Sequence, residues 1–320
     1  MSIKRFWRIH SSKVITYLIA LLLLVVVGIL KPGYASVNNL NYLSVTAAIL
    51  GITALGQTFV VLTGGMDLSI PWMFTMTSFV MAEVSGGQNE GLVYAVPVAL
   101  LLGLAMGLLN GFGVSYIGIL PVIMTISTNI IFQGLLLGFS NGTPGGTPPP
   151  LLKTIATGTT GGFSTLFLIW IVLVCIALLV FYKTRFGRSV YAIGSNEKVA
   201  LYSGINVKRV KLLVYGISGL MAAFAGVLYS GRLGQLYLGM GDPYQMQTVT
   251  AVAIGGVSLV GGKGSYVGTI AGALILVVLD GFLSAMSITP SIKSIIYGVV
   301  LLLAVLVSGR EVKDKKKANA

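Results

Sequence analysis

Acidic residues inside long apolar stretches are the first candidates for function in this sequence. Asp67 follows the glycine pair Gly64-Gly65, Asp280 follows an apolar run, and Glu83 lies beside another. A carboxylate among apolar side chains is costly unless it is paired, hydrated or near free backbone N–H groups. Asp67 therefore either caps the start of the next helix or lines a solute path or gate. Asp280 and Glu83 either meet water near a segment end or face the same path.

Covalent catalysis and metal chemistry lack the residues that they need. The chain has one cysteine, Cys175, and one histidine, His10, so we expect no internal disulfide and no metal cluster. The segment Val260-Gly261-Gly262-Lys263-Gly264 looks like the end of a phosphate-binding loop. It fails that motif, because its first glycine would fall on Val257 and a glycine stands where Ser or Thr must follow Lys263. We therefore expect no catalytic residue, no metal and no cofactor, and any nucleotide site must lie on another subunit.

The composition places these residues in a membrane protein. Hydrophobic residues make up 55% of the 320 residues, charged residues make up 9%, and the mean hydropathy is +0.93. A water-soluble domain has about 25% charged residues. Continuously apolar segments such as Leu18–Leu30 and Leu166–Tyr182 are typical of spanning helices rather than of alternating barrel strands. The expected fold is all-α and polytopic.

The apolar segments predict about ten transmembrane helices within a single transmembrane domain, residues 1–320. Their approximate bounds are 14–30, 42–62, 68–86, 92–114, 120–139, 163–183, 209–231, 245–260, 264–284 and 291–308. Removal of the first segment as a signal peptide is the alternative, but the apolar run Val14–Leu30 is long for one. The span 245–260 is short and contains Gly255-Gly256, which predicts a discontinuous helix that either crosses fully or does not.

The basic residues predict the orientation of these helices. An even number of spans with the positive-inside rule puts 17 of the 21 basic residues on the cytoplasmic side. The outer side keeps four, which are Lys31, Lys153, Arg232 and Lys293. Both termini are therefore expected in the cytoplasm. The net charge of +13 then reports orientation rather than nucleic-acid binding, since no soluble basic domain is present to hold a duplex.

Two long polar loops and two glycine ladders complete the pattern. An inner loop, about 184–208, contains a predicted short helix between a cap near Ser195-Asn196 and Gly204. An outer loop, about 140–162, is rich in Gly and Pro over residues 142–150, which favours extended or turn conformations over helix. Glycines four residues apart predict close helix packing, inside the chain or at a subunit interface. The two ladders are Gly103, Gly107, Gly111 and Gly264, Gly268, Gly272.

Three segments resemble the permeases of bacterial ABC importers for ribose and related monosaccharides. They are Thr63–Ser69 (Thr-Gly-Gly-Met-Asp-Leu-Ser), Gly194–Gly204 in the inner loop, and Gly255–Gly264, in the order found in that family, and the similarity extends over most of the chain. The chain departs from the pattern at Pro71-Trp72, where relatives usually have Val-Gly. This departure leaves the local shape of the path and the solute open.

The resemblance implies a subunit of a larger machine in the bacterial plasma (inner) membrane. Its expected partners are ATP-hydrolysing ABC subunits, a second permease copy or a sister permease, an external solute-binding protein that is periplasmic or lipid-anchored, and membrane lipid, but no nucleic acid. The loop that docks on the ATPase would include Asn196, Glu197, Ala200, Gly204 and Ile205, and replacing Glu197 and Gly204 is expected to uncouple ATP hydrolysis from uptake.

The same resemblance gives candidates for the path and leaves alternatives. The path or gate candidates are Gly64, Gly65, Asp67, Ser69, Gly255, Gly256 and Ser258. No tight solute pocket is expected if the binding protein sets selectivity. The same machinery for a nucleoside, an autoinducer or a branched-chain amino acid is the closest alternative. A more distant one is an ion-coupled secondary transporter that uses Asp67, Glu83, Asp280 and Arg232.

Overall fold

The computed structural model describes residues 3–143 and 145–318, with side chains for residues 14–143, 145–304 and 306. In these ranges the chain forms thirteen α-helices and one two-stranded hairpin. The helices are α1 (Ile3–Leu30), α2 (Val37–Leu62), α3 (Ile70–Ser85), α4 (Leu92–Phe112), α5 (Pro121–Ser140), α6 (Pro150–Thr157), α7 (Thr165–Lys183), α8 (Arg185–Ser195), α9 (Glu197–Tyr202), α10 (Val207–Leu233), α11 (Pro243–Ile254), α12 (Tyr266–Ala285) and α13 (Pro290–Ala318). Strands β1 (Thr159–Thr160) and β2 (Phe163–Ser164) pair antiparallel.

Each of the ten predicted apolar segments coincides with one of these helices. Six helices in the described part are long and apolar enough to cross a membrane, namely α2, α4 with the π-helical turn Gly113–Ile117, α5, α7, α10 and α12. Val14–Leu30 in α1 and Pro290–Ala304 in α13 are shorter apolar stretches. Helices α3 and α11 have only 16 and 12 residues. The chain is therefore an all-α polytopic membrane protein.

Helix α2 forms the centre of the bundle. From Ala47 to Leu62 every residue is buried, and α7, α10, α11 and α12 pack around it. A helix that is apolar on all sides belongs in the interior. A hydrogen-bonded relay fixes two of these neighbours, because Trp170 Nε1 donates to the Tyr266 hydroxyl, which donates to the carbonyl of Gly51. Trp170 lies so close to Gly51 that a methyl group there would overlap its ring.

The outer helices present apolar side chains to the surroundings. Large exposed hydrophobic residues lie along α1, α4, α5, α7 and α13, and they include Leu22, Leu101, Ile130 and Leu179. Cys175 is also exposed on α7. Such continuous apolar surfaces match lipid or another membrane subunit.

The first glycine ladder packs inside the chain rather than on its surface. Methyl groups at Gly103, Gly107 and Gly111 would overlap α10, whose backbone at Gly219, Tyr215 and Leu212 touches them. In the second ladder, Gly272 packs in the same way against the backbone of α11 at Ala251, and Gly268 packs against Gly255, which directly follows α11. Gly264 differs from the prediction, because α12 begins at Tyr266 and Gly264 lies before it with φ +124, against Val257.

The outer loop contains a helix that its composition did not suggest. Residues 145–149 form neither helix nor strand, but α6 starts at Pro150, where a proline loses no helical hydrogen bond and its fixed φ favours the first turn. Leu152 of α6 is buried against Gly231 of α10. The expectation that residues 142–150 form no helix agrees with the described residues up to Pro149 and is wrong at Pro150, where α6 begins.

The predicted interruption near Gly255-Gly256 is confirmed. Helix α11 ends at Ile254, and residues 255–265 form turns before α12. Gly256 has φ +75, which a residue with a side chain rarely adopts.

Candidate translocation and coupling sites

Asp67 lies in the break between α2 and α3 and is completely buried. One carboxylate oxygen, Oδ1, accepts hydrogen bonds from the Ser69 amide at 3.0 Å and from the Ser69 hydroxyl at 2.6 Å. The other, Oδ2, accepts from the Ser218 hydroxyl of α10 at 2.7 Å. Asp67 thus joins the start of α3 to α10, and it forms no ion pair in the described part of the chain.

The hydrogen bonds continue from Ser69 into two more helices. Asn110 of α4 donates from Nδ2 to the Ser69 hydroxyl at 2.7 Å, and Thr128 of α5 donates to Asn110 Oδ1 at 2.7 Å. All of these side chains are at most 3% exposed. We call Asp67, Ser69, Asn110, Thr128 and Ser218 the Asp67 network. It is a continuous chain of hydrogen-bonded polar side chains within otherwise apolar packing. Buried polar groups need such partners.

The other acidic candidates lie apart from this network. Glu83 is exposed near the end of α3. Asp280 of α12 pairs with Lys293 of α13 at 3.0 Å and accepts a hydrogen bond from the Tyr297 hydroxyl. The four residues that a coupling ion would need, Asp67, Glu83, Asp280 and Arg232, therefore do not form one site.

The three sequence blocks meet at a junction made almost entirely of backbone. The Gly262 amide donates to the carbonyl of Leu62, the last residue of α2, at 2.9 Å. A methyl group at Gly194 in α8 would overlap both of these backbone groups. A methyl group at Gly261 would come within 2.8 Å of the Gly64 amide. We call Leu62, Gly64, Gly194, Gly261 and Gly262 the glycine junction.

Neighbouring residues stabilise this junction from both sides. The Tyr191 hydroxyl of α8 donates to the carbonyl of Gly264 at 3.1 Å. Burial raises the pKa of Tyr191 to about 12, so its hydroxyl remains neutral and able to donate. Ser258 closes the turn after α11, since its amide donates to the carbonyl of Lys263 at 2.9 Å. On the other side, Gly65 packs closely against α10, because a methyl group at Gly65 would be only 2.5 Å from the hydroxyl of Tyr215.

The predicted short helix in the inner loop is confirmed as α9. The Asn196 side chain caps it by accepting from the Val199 amide at 3.1 Å, and Gly204 ends it with φ +80. Ala200 is buried, in a cluster with Ile193 and Val207, so it anchors α9 to α8 and α10. Glu197 pairs with Lys211 of α10 at 2.6 Å.

Helix α9 exposes three apolar side chains beside the charged residues Glu197 and Lys198. Val199, Leu201 and Tyr202 are 58%, 59% and 87% exposed. Beside it lies a groove of about 760 Å³, lined by Gly204, Ile205 and Lys208 among others. Exposed apolar side chains on a six-residue helix that is anchored beneath are typical of a docking surface.

Sequence reasoning did not identify several of these residues. Asn110, Thr128 and Ser218 are single polar residues within apolar helices, and only the tertiary fold brings them to Asp67. The exposed positions of α9 had no distinctive signal either, because the same loop contains other apolar residues, such as Phe186 and Val190, that the fold buries in part or completely.

Together, the bundle, the polar break and the exposed loop helix define a multi-pass membrane transport subunit. The family model for the permease component of branched-chain amino acid transport systems matches residues 39–305, and the chain belongs to this family.

Curated relatives agree with this assignment. The chain is 36% identical to the ribose import permease protein of Escherichia coli (strain K12) over 92% of this chain and 93% of that protein. It is 35% identical to the ribose import permease protein of Bacillus subtilis (strain 168) over 97% and 96%. It is 32% identical to the autoinducer 2 import system permease protein of Escherichia coli O157:H7 over 94% and 88%. No solved structure matches the chain. The chain is a permease subunit of the inner membrane.

Proposed function

We propose that this chain is the permease of an ATP-driven importer that carries a monosaccharide delivered by an external binding protein. The similarity to two ribose import permeases over nearly the whole chain supports the solute class. The glycine junction supports the proposed mechanism. It connects the exposed inner loop, through backbone contacts alone, to the break between α2 and α3 and to the turns between α11 and α12.

In the proposed topology the single domain crosses the membrane ten times, with both termini in the cytoplasm. The coincidence of the ten apolar segments with helices supports the count, and the distribution of Lys and Arg supports the orientation. The short helices α3 and α11 would complete their crossings together with the non-helical segments beside them. Such breaks are tolerated where they are enclosed by protein, as at Asp67.

We assign the docking of the ATP-hydrolysing subunit to α9. Val199, Leu201 and Tyr202 would contact the ATPase, whereas Ala200 and Glu197 would hold α9 to the bundle. Closure of the ATPase would move α8 and α9 as one body. The glycine junction would transmit that movement to the end of α2 and to the turns after α11.

The solute would cross between helix breaks of this permease and those of a second copy or sister subunit. Asp67, Ser69 and Ser258 would hold the breaks in shape, and Gly64, Gly65, Gly255 and Gly256 would give them their backbone conformation. Every side chain of the Asp67 network is buried and hydrogen-bonded within the protein, so we assign Asp67 to the gate rather than to solute contact.

Reconstitution tests the function directly. The permease is co-expressed with the ATPase and binding protein encoded beside it, placed in proteoliposomes, and assayed for uptake of radiolabelled D-ribose. Uptake should need ATP, the binding protein and all subunits. Uptake by the permease alone, driven by an ion gradient, would overturn the proposal.

The same assay separates the alternative solutes. Autoinducer 2 is the principal alternative, since an autoinducer 2 import permease is 32% identical to the chain. Unlabelled autoinducer 2, nucleosides and leucine are added as competitors at equal concentration. Competition by monosaccharides alone supports the proposed solute, and competition by autoinducer 2 alone would transfer the function to that solute.

A further inference from the structure

A cavity of about 540 Å³ lies inside the single chain, away from the glycine junction. It is lined by the first half of α2, by the first turns of α11 and α13 and by the last turns of α10 and α12. In the proposed topology all of these helix ends are on the outer side. The volume is within the range of about 300 to 1,000 Å³ that is common for small-molecule sites.

Four tyrosines form much of the cavity wall. They are Tyr42 of α2, Tyr229 of α10, Tyr244 of α11 and Tyr297 of α13. The rings of Tyr229 and Tyr244 meet edge to face with centroids 5.8 Å apart, and Phe74 stacks behind Tyr244 at 4.9 Å. Aromatic rings held in this way offer flat apolar surfaces with polar edges.

Two basic and two acidic side chains share the cavity, so its formal charge is balanced. Asp280 and Lys293 form an ion pair at its edge. Arg232 and Asp242 form no ion pair in the described part of the chain, although both line the cavity. The Arg232 guanidinium lies 4.8 Å from the centre of the Tyr42 ring, and its position in the last turn of α10 favours its positive charge.

We propose that this cavity binds a neutral, polyhydroxylated solute of monosaccharide size on its way into the permease. The apolar C–H face of a sugar ring packs on tyrosine, while vicinal hydroxyls bridge a guanidinium or a carboxylate. A solute with a net charge gains no net attraction from two positive and two negative groups, and leucine tests whether a zwitterion pairs with Arg232 and Asp242 instead. The inference rests on the proposed function and departs from the expectation that the permease has no solute pocket of its own.

Thiol labelling from outside the cell tests the site without ATP or partner subunits. The native thiol is removed by Cys175→Ser, and Met246→Cys then places one thiol in the cavity wall. Thr46→Cys on the facing wall is a second reporter in case the first variant does not fold. Glu90→Cys, exposed in the loop after α3, is the matched control outside the cavity.

An impermeant methanethiosulfonate should label both cavity positions, and neutral sugars should slow that labelling. For a Kd of about 10 mM, D-ribose at about 100 mM occupies about 90% of sites and slows labelling about tenfold. Ribose 5-phosphate and leucine should have no effect, and D-ribose should not affect Glu90→Cys. Other pentoses and hexoses are included as further neutral probes.

Charge-neutral variants test the chemistry of recognition. Arg232→Gln and Asp242→Asn should each abolish protection by sugars, whereas Lys153→Gln, an exposed outer residue beyond the cavity, should leave it unchanged. Labelling that no sugar slows, or no labelling from outside at either cavity position, would overturn the site. If ATP-dependent uptake persists in those cases, the proposed function stands and only the cavity assignment fails.

Discussion

At the scale of single residues, Asp67 depends on hydroxyl and amide donors rather than on a basic partner. Its side chain is fully buried. Two of its donors belong to Ser69, just before α3, and the third is the hydroxyl of Ser218 in α10. A buried acceptor that loses its donor incurs its full desolvation penalty, which is larger than the net gain from an ordinary hydrogen bond.

Ser218→Ala should therefore destabilise the protein by about 1 to 3 kcal/mol, because Asp67 Oδ2 loses its donor. Thermal unfolding of the detergent-solubilised protein measures the change. Ser203→Ala is the control, since Ser203 is exposed and its hydroxyl bonds only within α9. Equal midpoints for both variants would show that Asp67 does not depend on α10.

Gly194→Ala should disrupt the glycine junction, since the added methyl group overlaps the backbone of Leu62 and Gly262. We expect a destabilisation of about 1 to 3 kcal/mol, typical of overpacking, and loss of uptake. Gly134→Ala is the matched control, because nothing lies within 4 Å of the added group and alanine favours the α5 helix. If Gly194→Ala behaves like Gly134→Ala, the three blocks are not in close contact.

At the scale of elements, α9 separates anchoring residues from exposed ones. The double variant Leu201→Ala and Tyr202→Ala should reduce co-purification of the ATPase about tenfold or more, because tyrosines are frequent among the few residues that dominate an interface. Its melting temperature should not change, since both side chains are exposed. Tyr237→Ala, an exposed tyrosine between α10 and α11, should leave ATPase binding intact. Unchanged binding in the double variant would move the docking surface elsewhere.

The end of α9 depends on a left-handed residue. Gly204 has φ +80 and open space around it, so the constraint is conformational rather than steric. Gly204→Val should cost about 1 kcal/mol or more and lower uptake per ATP hydrolysed, whereas Gly204→Asn should retain more coupling, because asparagine tolerates this conformation. The ratio of uptake to ATP hydrolysis in proteoliposomes is the measurement. Equal ratios for the two variants would argue against a conformational role.

At the scale of the whole molecule, the orientation can be tested by thiol accessibility in intact cells. In a Cys175→Ser background, Glu90→Cys should react with an impermeant reagent from outside, and Ser203→Cys should react only after the membrane is opened. Both positions are exposed in the fold, so a difference in labelling reports the side of the membrane. Outside labelling of Ser203→Cys would reverse the topology and remove α9 from the cytoplasm.

The sequence predicts the helices well and their mutual contacts poorly. Apolar length places each of the ten predicted segments on a helix, because a membrane imposes a minimum length on a spanning helix. The ends agree less well, since α1 begins at Ile3 and α13 ends at Ala318, both well beyond the apolar stretch, whereas α11 already ends at Ile254. Helix α6 was missed since a proline at the first position of a helix resembles a helix breaker. Ser218 was missed because its value to Asp67 comes from packing between positions 151 residues apart.

The contact of α8 with the end of α2 and the Gly261-Gly262 turn has a mechanical consequence. Long side chains at an interface can absorb a small displacement by changing rotamer, but main chain in direct contact with main chain has no such compliance. We therefore expect a shift of α8 to displace Leu62 and Gly262 as well, because their backbone atoms lie in direct contact with Gly194. Because backbone atoms alone form this contact, we expect it to transmit a movement of α8 rather than absorb it.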